Sequence, residues 1–300
     1  MTKIAAWVNA ARLRTLPLSI SGVLVGTALA NFYGKNDSLI FILALLTTVG
    51  FQVTSNFAND YGDGVKGTDN EDRIGPKRAL QSGLLSRKEL KRGIIISIII
   101  NLLLVASVLY FSFGADYIEY FALFGVLGLL SIWAAIKYTV GKSAYGYMGL
   151  GDIFVFIFFG LLAVLGSLFL FTKFITSSAW LPAVAIGLLS TGVLNLNNLR
   201  DFESDTKAKK NTMIVKLGYE SGKKYHYGLI FFAFISMLLF IIFNAQSWYQ
   251  VIPLVAFVPI FVHLRKVNKT EQPRLLDPEL KKLALSTFLL AIIFYITLIN

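Results

Sequence analysis

The chain has 300 residues, of which 56% are hydrophobic and only 15% charged, against about a quarter charged in a soluble domain. Its apolar residues run in long unbroken blocks, so an ordinary soluble globule is excluded. The net charge of +11 sits between those blocks and reads as membrane topology, not as a nucleic-acid surface, and the absence of cysteine excludes disulfides, thiolate metal centres and cysteine nucleophiles.

Residues 1–14 carry Lys3, Arg12 and Arg14 ahead of the first long apolar block. They read as an interfacial helix leading into a retained first span, since a cleaved signal would have a shorter apolar core. Nine candidate spans follow at 16–33, 38–58, 93–113, 118–137, 151–171, 178–198, 227–244, 250–267 and 280–299. Blocks of about 18 or more apolar residues can cross a bilayer as helices, and unpaired backbone groups are not tolerated in lipid. The expected fold is therefore an all-α polytopic membrane bundle forming one domain over residues 1–300.

The connections 34–37, 114–117, 172–177 and 245–249 are short, whereas 59–92, 199–226 and 268–279 are long and charged. With the N-terminus in the cytoplasm, 26 of the 28 Lys and Arg residues fall on the cytoplasmic side and only Lys35 and Lys173 on the other. That asymmetry predicts the orientation, in an inner membrane, with the long loops cytoplasmic.

Two of these loops echo each other. The second span runs into Asn56-x-x-x-Asp60, and the sixth into Asn197-x-x-x-Asp201. The first continues through Asn59, Asp60, Gly62, Asp63, Gly64, Lys66, Gly67, Asp69 and Asp72; the second through Asn198, Arg200, Asp201, Asp205, Lys207 and Lys210. Asp60 and Asp63, and likewise Asp201 and Asp205, stand on one side of a helical turn, where like charges repel unless a cation lies between them. Mg²⁺ prefers one or two carboxylates together with substrate phosphates. Lys66, Arg78, Arg200, Lys207 and Lys210 could neutralise those phosphates. The ordinary reading of one charged loop is a solvated connection; two such loops with matching leads point to a diphosphate at the membrane surface.

At these residues the sequence resembles the UbiA superfamily of intramembrane prenyltransferases, whose two aspartate-rich motifs match Asn59-Asp60-x-x-Asp63 and Asp201-x-x-x-Asp205. The further acid of the first motif is shifted here, with Gly67 in its place and Asp69 next. This form resembles the dihydroxynaphthoate branch, as do Arg12-x-Arg14-Thr15-Leu16-Pro17, Asp72-Arg73-Ile74-Gly75-Pro76 with Gln81-Ser82-Gly83, Gly149-Leu150-Gly151-Asp152, and Asn197-Asn198-Leu199-Arg200-Asp201. The likeness runs from about residue 10 to about 220. It departs at Met148, where the branch usually has Arg, at Asp152, where it usually has Glu, and in a looser Tyr138-Thr139-Val140-Gly141-Lys142.

The resemblance implies transfer of a polyprenyl group from polyprenyl diphosphate to 1,4-dihydroxy-2-naphthoate with loss of CO₂. It implies Mg²⁺ on Asp60, Asp63, Asp201, Asp205 and Asp69, with Asn56, Asn59 and Asn197 as supporting polar groups. Arg14, Lys137 and Lys142 are candidates for the acceptor carboxylate. Asp152, just inside a span, is a candidate base for the ring hydroxyl, since ionisable groups there are costly and functional by default. His226 and His263 show no partner pattern and receive no role. The alternatives are a sister enzyme acting on 4-hydroxybenzoate or homogentisate, and a cation-coupled transporter. The transporter would place acids near mid-span, whereas these lie at span ends on one side.

Overall fold

In the computed structural model, which describes residues 2–67 and 78–298, every regular element is helical. The chain opens with α1 (Lys3–Ala11), capped by the Thr2 hydroxyl. The helix stops at Arg12, whose backbone is left-handed at φ 51°, and α2 (Leu16–Phe32) sets off after one 3₁₀ turn. Asp37 accepts from the Leu39 and Ile40 amides to start α3 (Ser38–Lys66), and Gly67 ends it in the left-handed conformation glycine adopts without strain. A Ser86–Glu89 capping box starts α4 (Arg87–Phe113), which is followed by α5 (Ile118–Lys137).

The second half begins with α6 (Gly151–Val155), continues as a π-helix over Phe156–Gly166 and closes as α7 (Ser167–Thr172). Then come α8 (Trp180–Arg200), the short α9 (Phe202–Lys207) and α10 (Met213–Leu217), α11 (Tyr219–Asn244), α12 (Phe257–Lys269) behind a 3₁₀ run, and α13 (Asp277–Thr297). Among the described residues nine helical stretches are long and apolar enough to cross a membrane, each coinciding with an expected span.

The ends differ from expectation. α3 runs on to Lys66, so Asp60 and Asp63 stand on the last turns of a helix and not in a loop. α4 begins at Arg87, α11 at Tyr219 and α13 at Asp277, each earlier than hydropathy indicated. Hydropathy locates the apolar stretch, but backbone hydrogen bonding continues past it until a capping residue stops it.

The larger core joins α2, α7, α8, α11, α12 and α13 around Leu29, Leu168, Ile186, Leu189 and Phe294. A smaller one sits where α1 meets α3 and α4, around Ala6, Phe57 and Leu90. Small residues permit the closest crossings, as in other membrane bundles. A Cβ on Gly160 would stand 2.4 Å from the Gly187 Cα, and one on Gly26 would stand 2.3 Å from the Val164 carbonyl. Ile96, Leu103, Phe243 and Val262 point outward, as a lipid-facing surface requires. Polar clips cross the interior: Asn101 donates to Thr54 at 2.8 Å. His226 Nε2 and His263 Nε2 are 2.9 Å apart, His263 Nδ1 meets Glu279 at 2.9 Å, and Lys282 reaches the other Glu279 oxygen at 2.7 Å. The two histidines, unassigned from sequence, thus join α11, α12 and α13.

Candidate active site

The first motif is built where α3 passes the break between α1 and α2. Asn56 donates to the Ala11 carbonyl at 2.8 Å and to Thr15 Oγ1 at 3.3 Å, so it fixes that break. One turn on, Asp60 is almost completely buried. Its Oδ1 accepts from Arg12 and lies 3.2 Å from Arg78 Nη1. Buried acids require such partners, because a lone carboxylate out of water is strongly disfavoured. Asn59 accepts from Thr139 at 3.1 Å, and Gly62 lies against the same threonine, where a Cβ would come within 2.5 Å.

The second motif is built at the end of α8. Arg200 clasps Asp201 through Nε at 2.8 Å and Nη2 at 2.6 Å, and the same Nη2 donates to Asn197 at 2.9 Å. Its Nη1 donates to Asp277 of α13 at 2.6 Å. Asp205, on α9, has Lys210 Nζ 3.6 Å from one oxygen, while its other oxygen is buried without a hydrogen-bond partner. Burial pushes the Asp205 carboxyl up to about 6. Burial also works against the charge of Lys210, but Asp205 and Asp63 beside it hold its ammonium well above the ordinary lysine range.

Tyr147 brings the two motifs together. Its hydroxyl donates to Asp63 Oδ1 at 2.7 Å and its carbonyl accepts from the Asn211 amide at 3.2 Å. Lys66 Nζ lies 3.8 Å from the ring centroid and Lys210 Nζ 5.5 Å, both within cation–π range. Asp63 and Lys66 of the first motif and Lys210 of the second therefore converge on one tyrosine.

Among the described residues no three acids or histidines form a ready metal cage. Mg²⁺ does not need one when substrate phosphates complete its shell. The unpartnered Asp205 oxygen and the paired acids at two facing helix ends are hard donors of the right kind, so the residues fit such an ion. Asp69, expected as a further metal ligand, lies outside the described residues, as do Asp72 to Pro76.

Asp152 is buried at the start of α6, beside Tyr225 of α11, with one carboxylate oxygen buried and without a hydrogen-bond partner. The Thr191 hydroxyl donates to its carbonyl at 3.4 Å. Arg14 and Lys142 are exposed and Lys137 is half-buried; the site's ion pairs go instead to Arg12, Arg78, Arg200 and Lys210. Lys207 is exposed on α9.

Arg12, Tyr147, Tyr225 and Asp277 were not singled out for the site from sequence. Arg12 shares a motif with Arg14, and only the helix break decides which of the two turns inward. Asp277 looks like a residue that merely begins a helix, and the two tyrosines carry no local signal.

The profile of the UbiA prenyltransferase family matches residues 19–296. The chain is 45% identical to the 1,4-dihydroxy-2-naphthoate octaprenyltransferase of Haemophilus influenzae, over 99% of this chain and 96% of that protein. It is 40% identical to the protein of the same name from Escherichia coli, over 98% and 95%. Among solved structures, a UbiA homolog from Archaeoglobus fulgidus superimposes with a TM-score of 0.70 at 15% identity, over 98% of this chain and 99% of that one. The same homolog bound to GPP and Mg²⁺ gives 0.65 at 16% identity, over 96% and 99%. These last two share the fold.

Proposed function

This chain belongs to the UbiA prenyltransferase family, and from that premise we propose that it transfers a polyprenyl group from polyprenyl diphosphate to 1,4-dihydroxy-2-naphthoate, releasing CO₂ and diphosphate and forming demethylmenaquinone in its reduced form. The observation that carries this reading is the identity to two naphthoate octaprenyltransferases along nearly the whole of both chains. The acid-rich ends of α3 and α8, matched by Arg and Lys, fit it.

In the reaction the allylic C–O bond breaks with its electron pair leaving on diphosphate. The ring carbon bonds to the prenyl C1, and the carboxylate on that carbon departs as CO₂, returning its pair to the ring. Asp60, Asp63, Asp201 and Asp205, with Asp69 as a further candidate, would hold Mg²⁺, which when bound would supply positive charge to the departing diphosphate. Lys66, Arg78, Arg200, Lys207 and Lys210 bind phosphate oxygens, and preorganised cations of this kind stabilise charge where it develops. Tyr147 fixes Lys66 and Lys210 against Asp63. Asn56, Asn59 and Asn197 keep the helix ends in register. Asp152, with Tyr225 beside it, takes the ring hydroxyl proton and makes the ring a better nucleophile. Arg14, Lys137 and Lys142 are the cations available to the acceptor carboxylate. The apolar bundle keeps water from the allylic cation.

The chain lies in the inner membrane with its N-terminus and acid-bearing helix ends in the cytoplasm, supported by the 26-to-2 distribution of Lys and Arg. The test is an assay of purified, detergent-solubilised protein with polyprenyl diphosphate, either 1,4-dihydroxy-2-naphthoate or 4-hydroxybenzoate, and either Mg²⁺ or EDTA. Prenylated naphthoate and CO₂ with Mg²⁺ alone is the expected result. Product from the benzoate instead would overturn the acceptor, and product in EDTA would overturn the metal.

A further inference from the structure

Asp277 opens α13, far in sequence from either aspartate motif, yet its Oδ1 accepts from Arg200 Nη1 at 2.6 Å. Arg200 is thereby gripped at two edges of one plane. Nε and Nη2 face Asp201 at 2.8 and 2.6 Å, and Nη1 faces Asp277. The Arg200 side chain is 7% exposed, Asp201 16% and Asp277 53%. The guanidinium has five N–H donors in a fixed fork, so it can keep one carboxylate while its other edge changes partner.

A two-pronged Arg–carboxylate pair is among the strongest side-chain contacts. Held by Asp201 alone, Arg200 would compete with any metal ion for that carboxylate, and a metal that won would strand a buried guanidinium. Asp277 alters both sides of that balance. It gives Arg200 a partner that stays in place, and it leaves the three-group cluster with a net negative charge that favours a cation.

We propose that Asp277 is a positioning residue of the second aspartate motif: by holding Arg200 through Nη1 it lets the Asp201 carboxylate pass to a divalent cation, while the freed Nε–Nη2 edge of Arg200 turns to the diphosphate. This rests on reading Asp201 as a cation ligand for a diphosphate substrate. An acid at a helix N-terminus also stabilises the helix dipole, so the test must separate charge from capping. Asp277 is the first residue inside α13, after Leu276 at the cap, and makes no capping hydrogen bond, so Asp277→Asn removes its charge without removing a cap.

The experiment is direct Mn²⁺ binding to the full-length, solubilised protein, read from the electron paramagnetic resonance of free Mn²⁺, with thermal midpoints measured alongside. Asp277→Asn is expected to weaken Mn²⁺ binding about tenfold or more, in the range seen when a residue supporting a metal ligand is removed. Its thermal midpoint should shift little, and Asp277→Glu should recover most of the affinity. Adding Arg200→Gln to Asp277→Asn removes the competitor and should restore binding. Unchanged Mn²⁺ affinity in Asp277→Asn overturns the proposal, and so does a loss that Arg200→Gln leaves in place. Mn²⁺ binding with this dependence in a protein that prenylates no acceptor would uphold the inference and sink the proposed reaction.

Discussion

The hydroxyl of Tyr147 donates to Asp63 at 2.7 Å while its ring carries Lys66 at 3.8 Å and Lys210 at 5.5 Å. One residue from the turn after α5 thus sets the spacing between the two charged helix ends. Tyr147→Phe keeps the ring and loses a hydrogen bond to a charged group, a contact worth about 1.5–3 kcal/mol. It is expected to raise the KM for polyprenyl diphosphate roughly tenfold. Tyr147→Ala also frees both lysines and should fall well below Tyr147→Phe in kcat/KM. Equal kinetics in the two variants would show that the ring holds nothing.

Asp60 and Asp201 are expected to be equally necessary for turnover but unequal in stability. Replacing either with Asn should lower kcat by about a hundredfold or more, the scale of removing a group that stabilises developing charge. Asp60 is buried and shared by Arg12 and Arg78, so its loss should also cost roughly 2–3 kcal/mol. Asp201→Asn leaves Arg200 on Asp277 and should shift the thermal midpoint less. Steady-state assays with thermal unfolding of the same samples check both halves, and full activity in either variant would remove that acid from the metal site.

The pH dependence of the second motif has a defined sign. Burial raises the Asp205 carboxyl from 3.8 to about 6, so the folded state binds this proton more tightly than the unfolded chain does. Its favourable contribution is complete below the unfolded value and is lost as pH rises through about 6. In EDTA the thermal midpoint should carry a decline across that window that Asp205→Asn flattens. Protons compete with the metal at the same carboxylate, so the Mg²⁺ concentration for half-maximal activity should climb as pH falls below about 6. A Mg²⁺ requirement flat from pH 5 to 8 would contradict this assignment.

In the proposed reaction Asp152, with Tyr225 beside it, acts on the acceptor and not on the diphosphate. Asp152→Asn should slow prenylation more than Asp152→Glu, because only the second retains a proton acceptor. Tyr225→Phe should produce a smaller loss in kcat, with the KM for polyprenyl diphosphate unchanged in all three. Equal rates for Asp152→Asn and Asp152→Glu would argue against proton transfer at this position.

The spans were legible because lipid demands uninterrupted apolar helices, and the nine long apolar helices among the described residues follow from that demand. The two Asn-x-x-x-Asp echoes were legible because spacing of four survives on any helix. What could not be read is whatever depends on where a helix stops or which helices meet. The break at Arg12 turns that residue toward Asp60 and leaves Arg14 outside, a choice made by one left-handed backbone angle. Tyr147 gains its place only when the turn after α5 meets the turn after α9. Asp277 matters because α13 packs beside the end of α8 across 77 residues of sequence.

The buried chain from His226 through His263 to Glu279 has a consequence for the motions of the protein. Its links are short, fully enclosed and shared among three helices, so no one of α11, α12 and α13 can open without stranding polar groups in the others. These three helices should therefore behave as one unit of local unfolding, with backbone amides near His226, His263 and Glu279 exchanging with deuterium at a common rate. Glu279→Gln, which weakens one link on α13, should loosen protection on α11 as well, at residues it does not touch.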